Sequence, residues 1–121
     1  EIERMREGET MACKFCGSKC SERIVYVIGE EIDPPSVKVG YAKNVANRVA
    51  QLRRKTGRDL CVIHRQIILC EFKAMDVEDE SHRILAGYWV GRGEWFRCTA
   101  ETAIAAIEQA ARKLGTKGTR Q

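Results

Sequence analysis

Thiolates are strong ligands for zinc and similar metals, and this 121-residue chain carries six cysteines. Three crowd near its start, in Cys13-Lys14-Phe15-Cys16-Gly17-Ser18-Lys19-Cys20. Two cysteines separated by two residues, with glycine directly after the second, suit the tight turn of a zinc knuckle. Glycine relieves strain there, and backbone N–H groups can point at sulfur. Cys13, Cys16 and Cys20 are therefore candidate ligands of a structural zinc. A closed site takes four ligands, and Cys61, His64, Cys70 and Cys98 could supply a fourth only through tertiary contact. If 61–64 is a strand, Cys61 and His64 point to opposite faces and cannot both serve one ion. Unmetallated thiols and redox or iron–sulfur chemistry are the alternatives.

A second group of side chains suits phosphate and hard cations. Glu78 and His82 stand four residues apart and share one flank of a helix. Arg48 lies about 60° from Val45 around another helix, on the rim of the face that packs on a sheet. Arg53, Arg54, Lys55 and Arg58 form a denser basic cluster at that helix's end, either a DNA-backbone contact or a solvated face. The net charge of +4 permits a nucleic-acid partner without demanding one. A hydrophobic content of 44% and a charged content of 31% are those of a globular domain. No apolar run approaches the ~20 residues of a membrane span, and no signal-peptide pattern opens the chain. Many cysteines without a secretory signal point to reduced thiols and a cytoplasmic setting.

Elements that would position these groups follow from local pattern. Arg23 to Ile28 is rich in β-branched and aromatic residues and reads as a strand. Pro34 and Pro35 keep the following acidic loop out of regular pairing. Strand character resumes from Ser36 to Tyr41. Asn44 is the expected N-cap of a helix with Val45, Val49 and Leu52 on one face and Gly57 as its stop. Cys61 to Phe72 reads as a central strand, or two with a bulge. Asp76 is the expected N-cap of a helix from Val77 to about Ala86. A turn from Gly91 leads into a short strand at Trp95 and Phe96, whose large aromatics suit a core. Thr99 caps a last amphipathic helix to Leu114, with Ile104, Ile107, Ala111 and Leu114 as its buried stripe and Gly115 as its stop. The organisation expected is a leader over 1–22, a catalytic or binding domain over 23–115, and a basic tail over 116–121.

Taken in order, these residues resemble the GIY-YIG nuclease superfamily. Val25-Tyr26 stands for the "IY" and Lys38-Val39-Gly40 for the "YIG", with Arg48 eight residues beyond Gly40. Glu78-x-x-x-His82 followed by Gly93-Glu94-Trp95-Phe96 resembles a phage and bacterial branch of that superfamily. The resemblance covers roughly residues 23 to 110. Ile24 sits where the first glycine is expected, and Lys38 replaces the second tyrosine. Tyr41 is the nearest phenol to that gap and is kept as a catalytic candidate, although strand alternation sends residues 38 and 41 to opposite faces.

What the resemblance implies is an α+β sandwich: a small, mainly antiparallel sheet flanked by about three helices. It also implies a metal-dependent DNA endonuclease. Tyr26 would be the base or would position water, and Arg48 would clamp phosphate through its planar fork. Glu78 would hold one magnesium or manganese ion, and His82 would orient Glu78 or contact phosphate. Lys38 would contact phosphate or lower a neighbour's pKa. DNA is the implied partner, read with help from a fused or separate DNA-binding domain. Two other readings stand beside it: a degenerate domain that binds nucleic acid without cutting, and a zinc-stabilised interaction module.

Overall fold

The computed structural model describes Cys13, Gly17, residues 20–33 and residues 35–114. Strand β1 (Arg23–Gly29) has no polar residue between Ile24 and Ile28, so both of its faces can be buried, and Val25 through Gly29 are. It lies between β2 (Val37–Ala42) and β3 (Cys61–Ile68), and β4 (Trp95–Phe96) adds to the far side of β2. The sheet order is β3-β1-β2-β4, and every pairing is antiparallel. Three helices complete the fold: α1 (Val45–Thr56), α2 (Glu71–Ile84) and α3 (Ala100–Lys113). The protein is thus an α+β fold, a four-stranded antiparallel sheet with helices on both faces.

Strand alternation sorts the core into two layers. Val25 and Val27 of β1 and Val37 and Val39 of β2 pack with Ala74 and Val77 of α2 and with Ala103, Ala106, Ile107, Ala110 and Ala111 of α3. Tyr26 and Ile28 face the other way, where Val45, Val49 and Leu52 of α1 join Leu60. Asn44 caps α1 by accepting from the Asn47 N–H at 3.0 Å, and Gly57 ends it at φ +70°. Thr99 caps α3 in the same manner, accepting from the Thr102 N–H at 3.1 Å. These boundaries match the sequence patterns.

Three expectations are corrected. The run from Cys61 is an edge strand rather than a central one, with Ile63 and Ile67 exposed. β-Branched residues satisfy strand geometry whether or not a second sheet neighbour exists, so propensity does not report position in a sheet. The bulge is present: pairing with β1 shifts register between Val27 and Ile28. Helix α2 begins at Glu71 with Cys70 as N-cap, not at Asp76, which lies exposed in its second turn. Ala74, Val77 and Ser81 form its buried stripe, and that periodicity runs back to the buried Cys70. In α3 the buried face is rotated toward its alanines, leaving Ile104 and Leu114 only partly covered. Small side chains there allow close approach to α2 and β1. Cys16, Pro34, the leader over residues 1–12, Gly115 and the tail over 116–121 lie outside the described residues. No described helix is long and apolar enough to cross a membrane.

Candidate active site

Gly40 of β2 pairs directly with Tyr26 of β1. A Cβ on Gly40 would stand 2.6 Å from the Tyr26 hydroxyl oxygen, 2.8 Å from Cζ and 2.9 Å from Glu94 Oε1. Real Cβ atoms do not approach so closely, so only glycine leaves room for the phenol to cross β2 toward the carboxylate. The Tyr26 ring is fully buried. Burial, then the Glu94 charge, raises its hydroxyl above the ordinary tyrosine range, with Arg48 opposing and Glu78 adding to the rise. The phenol therefore keeps its proton at neutral pH.

Beside it two carboxylates meet across the edge of the sheet. Glu78 projects from α2 and is only 8% exposed. Glu94 precedes β4, and its carbonyl accepts from the Val39 N–H at 3.2 Å, which fixes the residue against β2. Burial, a hydrogen bond with Glu94, and the charges of Glu94 and Asp79 push Glu78 up to about 8, with Lys38 opposing. Burial also disfavours the Glu94 anion. The Lys38 ammonium, bonded to it at 2.9 Å, and the hydrogen bond with Glu78 prevail and hold Glu94 below the usual carboxylate range. The pair thus shares one proton, carried by Glu78, because Lys38 keeps its neighbour ionised.

Cations ring this centre. Arg48 is exposed on α1, and its charge acts on Tyr26. Trp95 pairs with Lys38 across the strands, with the Lys38 Nζ 5.9 Å and the Arg58 guanidinium 4.5 Å from its ring centroid. Arg58 also bonds Glu30 at 3.2 Å. Arg53 donates to the Leu60 carbonyl at 2.6 Å, so it secures the end of α1. Arg54 and Lys55 are exposed in the last turn of α1. The basic cluster of the sequence is therefore divided among three jobs.

Other candidates are placed elsewhere. Tyr41 lies on the opposite face of β2, packed against the larger core, where burial and then the charges of Glu78 and Glu71 raise its hydroxyl. Alternation separates it from Lys38, as strand geometry requires. His82 shares the Glu78 flank of α2, but its Nε2–H donates to the Val39 carbonyl at 2.8 Å and its ring lies 5.0 Å from that of Phe96. His82 thus holds the Val39 carbonyl while the Glu94 carbonyl holds the Val39 N–H. Glu94 itself was not singled out by sequence reasoning as a site residue. Its signal lay in the Gly93-Glu94-Trp95-Phe96 run, where the aromatics attract attention and the carboxylate does not.

A family model, the T5orf172 domain, matches residues 23–111 of the chain. That span holds all four strands, helices α1 and α2, all but the last two residues of α3, and every residue of the carboxylate pair's surroundings. The chain belongs to the T5orf172 domain family. No curated protein and no solved structure matches it.

The T5orf172 match begins after Cys13 and Cys20, yet these two meet a residue inside it. The sulfurs of Cys13, Cys20 and Cys70 all lie within 4.8 Å of one another, a set able to hold a metal ion. Cys16, the other knuckle cysteine, lies outside the described residues. Among the described residues, Cys61, His64 and Cys98 do not join that group.

Proposed function

We propose that this T5orf172 domain is a divalent-cation-dependent DNA endonuclease of the GIY-YIG type. The observation that carries the reading is the Glu78–Glu94 pair beside Tyr26 and Lys38, over a glycine that no larger residue could replace. A carboxyl pair sharing one proton, with Glu78 buried and Glu94 partly exposed, is a place where a cation can take that proton's role. Two carboxylates at an open sheet edge suit magnesium or manganese, which complete their shells with water and phosphate oxygens. Bound there, such an ion would supply Lewis-acid activation of an oxygen at phosphorus.

The remaining chemistry belongs to the chain. Hydrolysis adds a water oxygen to phosphorus and breaks the P–O bond to the leaving oxygen, with negative charge building on the non-bridging oxygens. Arg48, exposed at the rim, offers two parallel N–H donors to those oxygens. Lys38 is a point charge already held at the site by Glu94, and it stands where the resemblance places a second phenol. Tyr26 keeps its proton, so its role is to orient the water or a phosphate oxygen by donating a hydrogen bond, not to act as a free phenolate base. His82 acts through the Val39 carbonyl and is a positioning residue. Arg54 and Lys55 extend the cationic rim toward the DNA backbone.

Plasmid nicking with magnesium or manganese tests this reading. Wild type should convert supercoiled to open-circular DNA, and Glu78→Ala and Arg48→Ala should each lower the rate about 100-fold or more. A wild type that binds DNA in a salt-dependent way but never nicks it would favour the second reading, a binding module. Lys38 at the second-tyrosine position is the observation that favours that reading.

A further inference from the structure

We propose that Cys13, Cys20 and Cys70 form a structural zinc site that ties the segment before β1 to the start of α2. The three sulfurs converge within 4.8 Å, although Cys70 lies 50 residues or more along the chain from the other two. One zinc with Zn–S distances of ~2.3 Å can reach sulfurs so arranged. The turn needed at the first ligand is built: the Gly17 N–H donates to the Cys13 carbonyl at 2.8 Å, and Gly17 adopts φ +77°. Cys20 is held beside the third ligand, its Sγ 3.5 Å from the Leu69 carbonyl.

Cys70 adds what a surface knuckle lacks. It is 3% exposed and caps the N-terminus of the 14-residue helix α2 without a side-chain capping bond. The helix dipole favours an anionic sulfur at that end. Lys73, 5% exposed one turn on, acts electrostatically on both Cys70 and Cys13. One Zn²⁺ with three thiolates carries a charge of about −1, which a lysine and a helix N-terminus complement. Binding releases one proton from each thiol and involves no electron transfer. The site lies about 12 Å along α2 from Glu78, at ~1.5 Å per residue, so it would brace the helix that presents that carboxylate.

Zinc content of the full chain, purified under reducing conditions and measured by atomic spectroscopy, tests the proposal independently of any nuclease activity. About one zinc per chain is expected, falling to near none in Cys70→Ser and Cys20→Ser and unchanged in Cys61→Ser, whose thiol is exposed outside the group. A wild type that takes up no added zinc, or a folded Cys70→Ser that binds it as wild type does, overturns the site. Should Cys70→Ser fail to fold, alkylation of wild type decides. Zinc should protect the partly exposed Cys13 and Cys20 from iodoacetamide while Cys61 reacts equally with and without it. Equal labelling of Cys13 and Cys20 in both samples would refute the proposal.

Discussion

The two faces of the sheet are made by alternate residues of the same strands and have opposite characters. One face is covered by α2 and α3 and lined by valine, alanine, isoleucine and phenylalanine. The other has α1 alone for cover and carries Tyr26, Lys38, Gly40 and Trp95 around its apolar residues. A face with two helices on it can be sealed entirely by aliphatic packing. One with a single helix leaves an edge open, and there Tyr26, Lys38 and Glu94 meet Glu78, which α2 presents from the sealed side. Nearness to that open edge, more than residue type, separates framework from chemistry in this fold.

Truncation in the sealed face should cause the largest loss of stability and the least specific loss of activity. Ile107→Ala removes a fully buried side chain and should cost about 2–5 kcal/mol in urea unfolding, with DNA binding per folded molecule unchanged. A comparable loss of binding with stability intact would erase the distinction between the faces. Gly40→Ala sharpens it from the other side. Its new methyl must displace Tyr26 or Glu94, so it should cost about 1–3 kcal/mol and abolish nicking together. Full activity in that variant would mean the close approach has no role.

Strands β1, β2 and β4 and the caps Asn44, Gly57 and Thr99 were legible because each rests on local pattern, while the antiparallel sheet flanked by helices came from the resemblance. The position of β3 at the edge was not, since Ile63 and Ile67 have the composition of core residues but no layer covers them. The start of α2 was obscured by Leu69-Cys70-Glu71-Phe72, whose residues favour a strand until Ala74 and Val77 set a helical period. Of the candidate site, Tyr26, Lys38 and Glu78 are brought together by the fold, and Arg48 acts on Tyr26 across it. Tyr41 and His82 illustrate what spacing cannot convey. The first is on the wrong side of a pleat, and the second is committed to a backbone carbonyl. Glu94 joins Glu78 only because β4 returns to β2, a tertiary event that no short window contains.

Smaller effects follow from charge. Glu78 is raised from an ordinary 4.5 to about 8, so its neutral form favours folding below pH 4.5 and that contribution is lost as pH climbs toward 8. The melting temperature of metal-free protein should fall by a few °C across that window, and Glu78→Gln should flatten the fall. Arg58→Ala removes a cation from Trp95 on the open face and should cost only about 0.5–1 kcal/mol. Arg54→Ala leaves folding untouched and should reduce the salt slope of DNA binding by about 0.9 if that side chain meets one phosphate.

The proton shared by Glu78 and Glu94 is the physical centre of this account, and carboxyl ¹³C NMR titration follows it directly. Without metal, Glu78 should titrate near 8, with Glu94 below the normal carboxylate range. Added magnesium should pull the Glu78 midpoint down as the ion replaces the proton. An ordinary midpoint near 4.5 for Glu78, or one that ignores magnesium, would contradict the account.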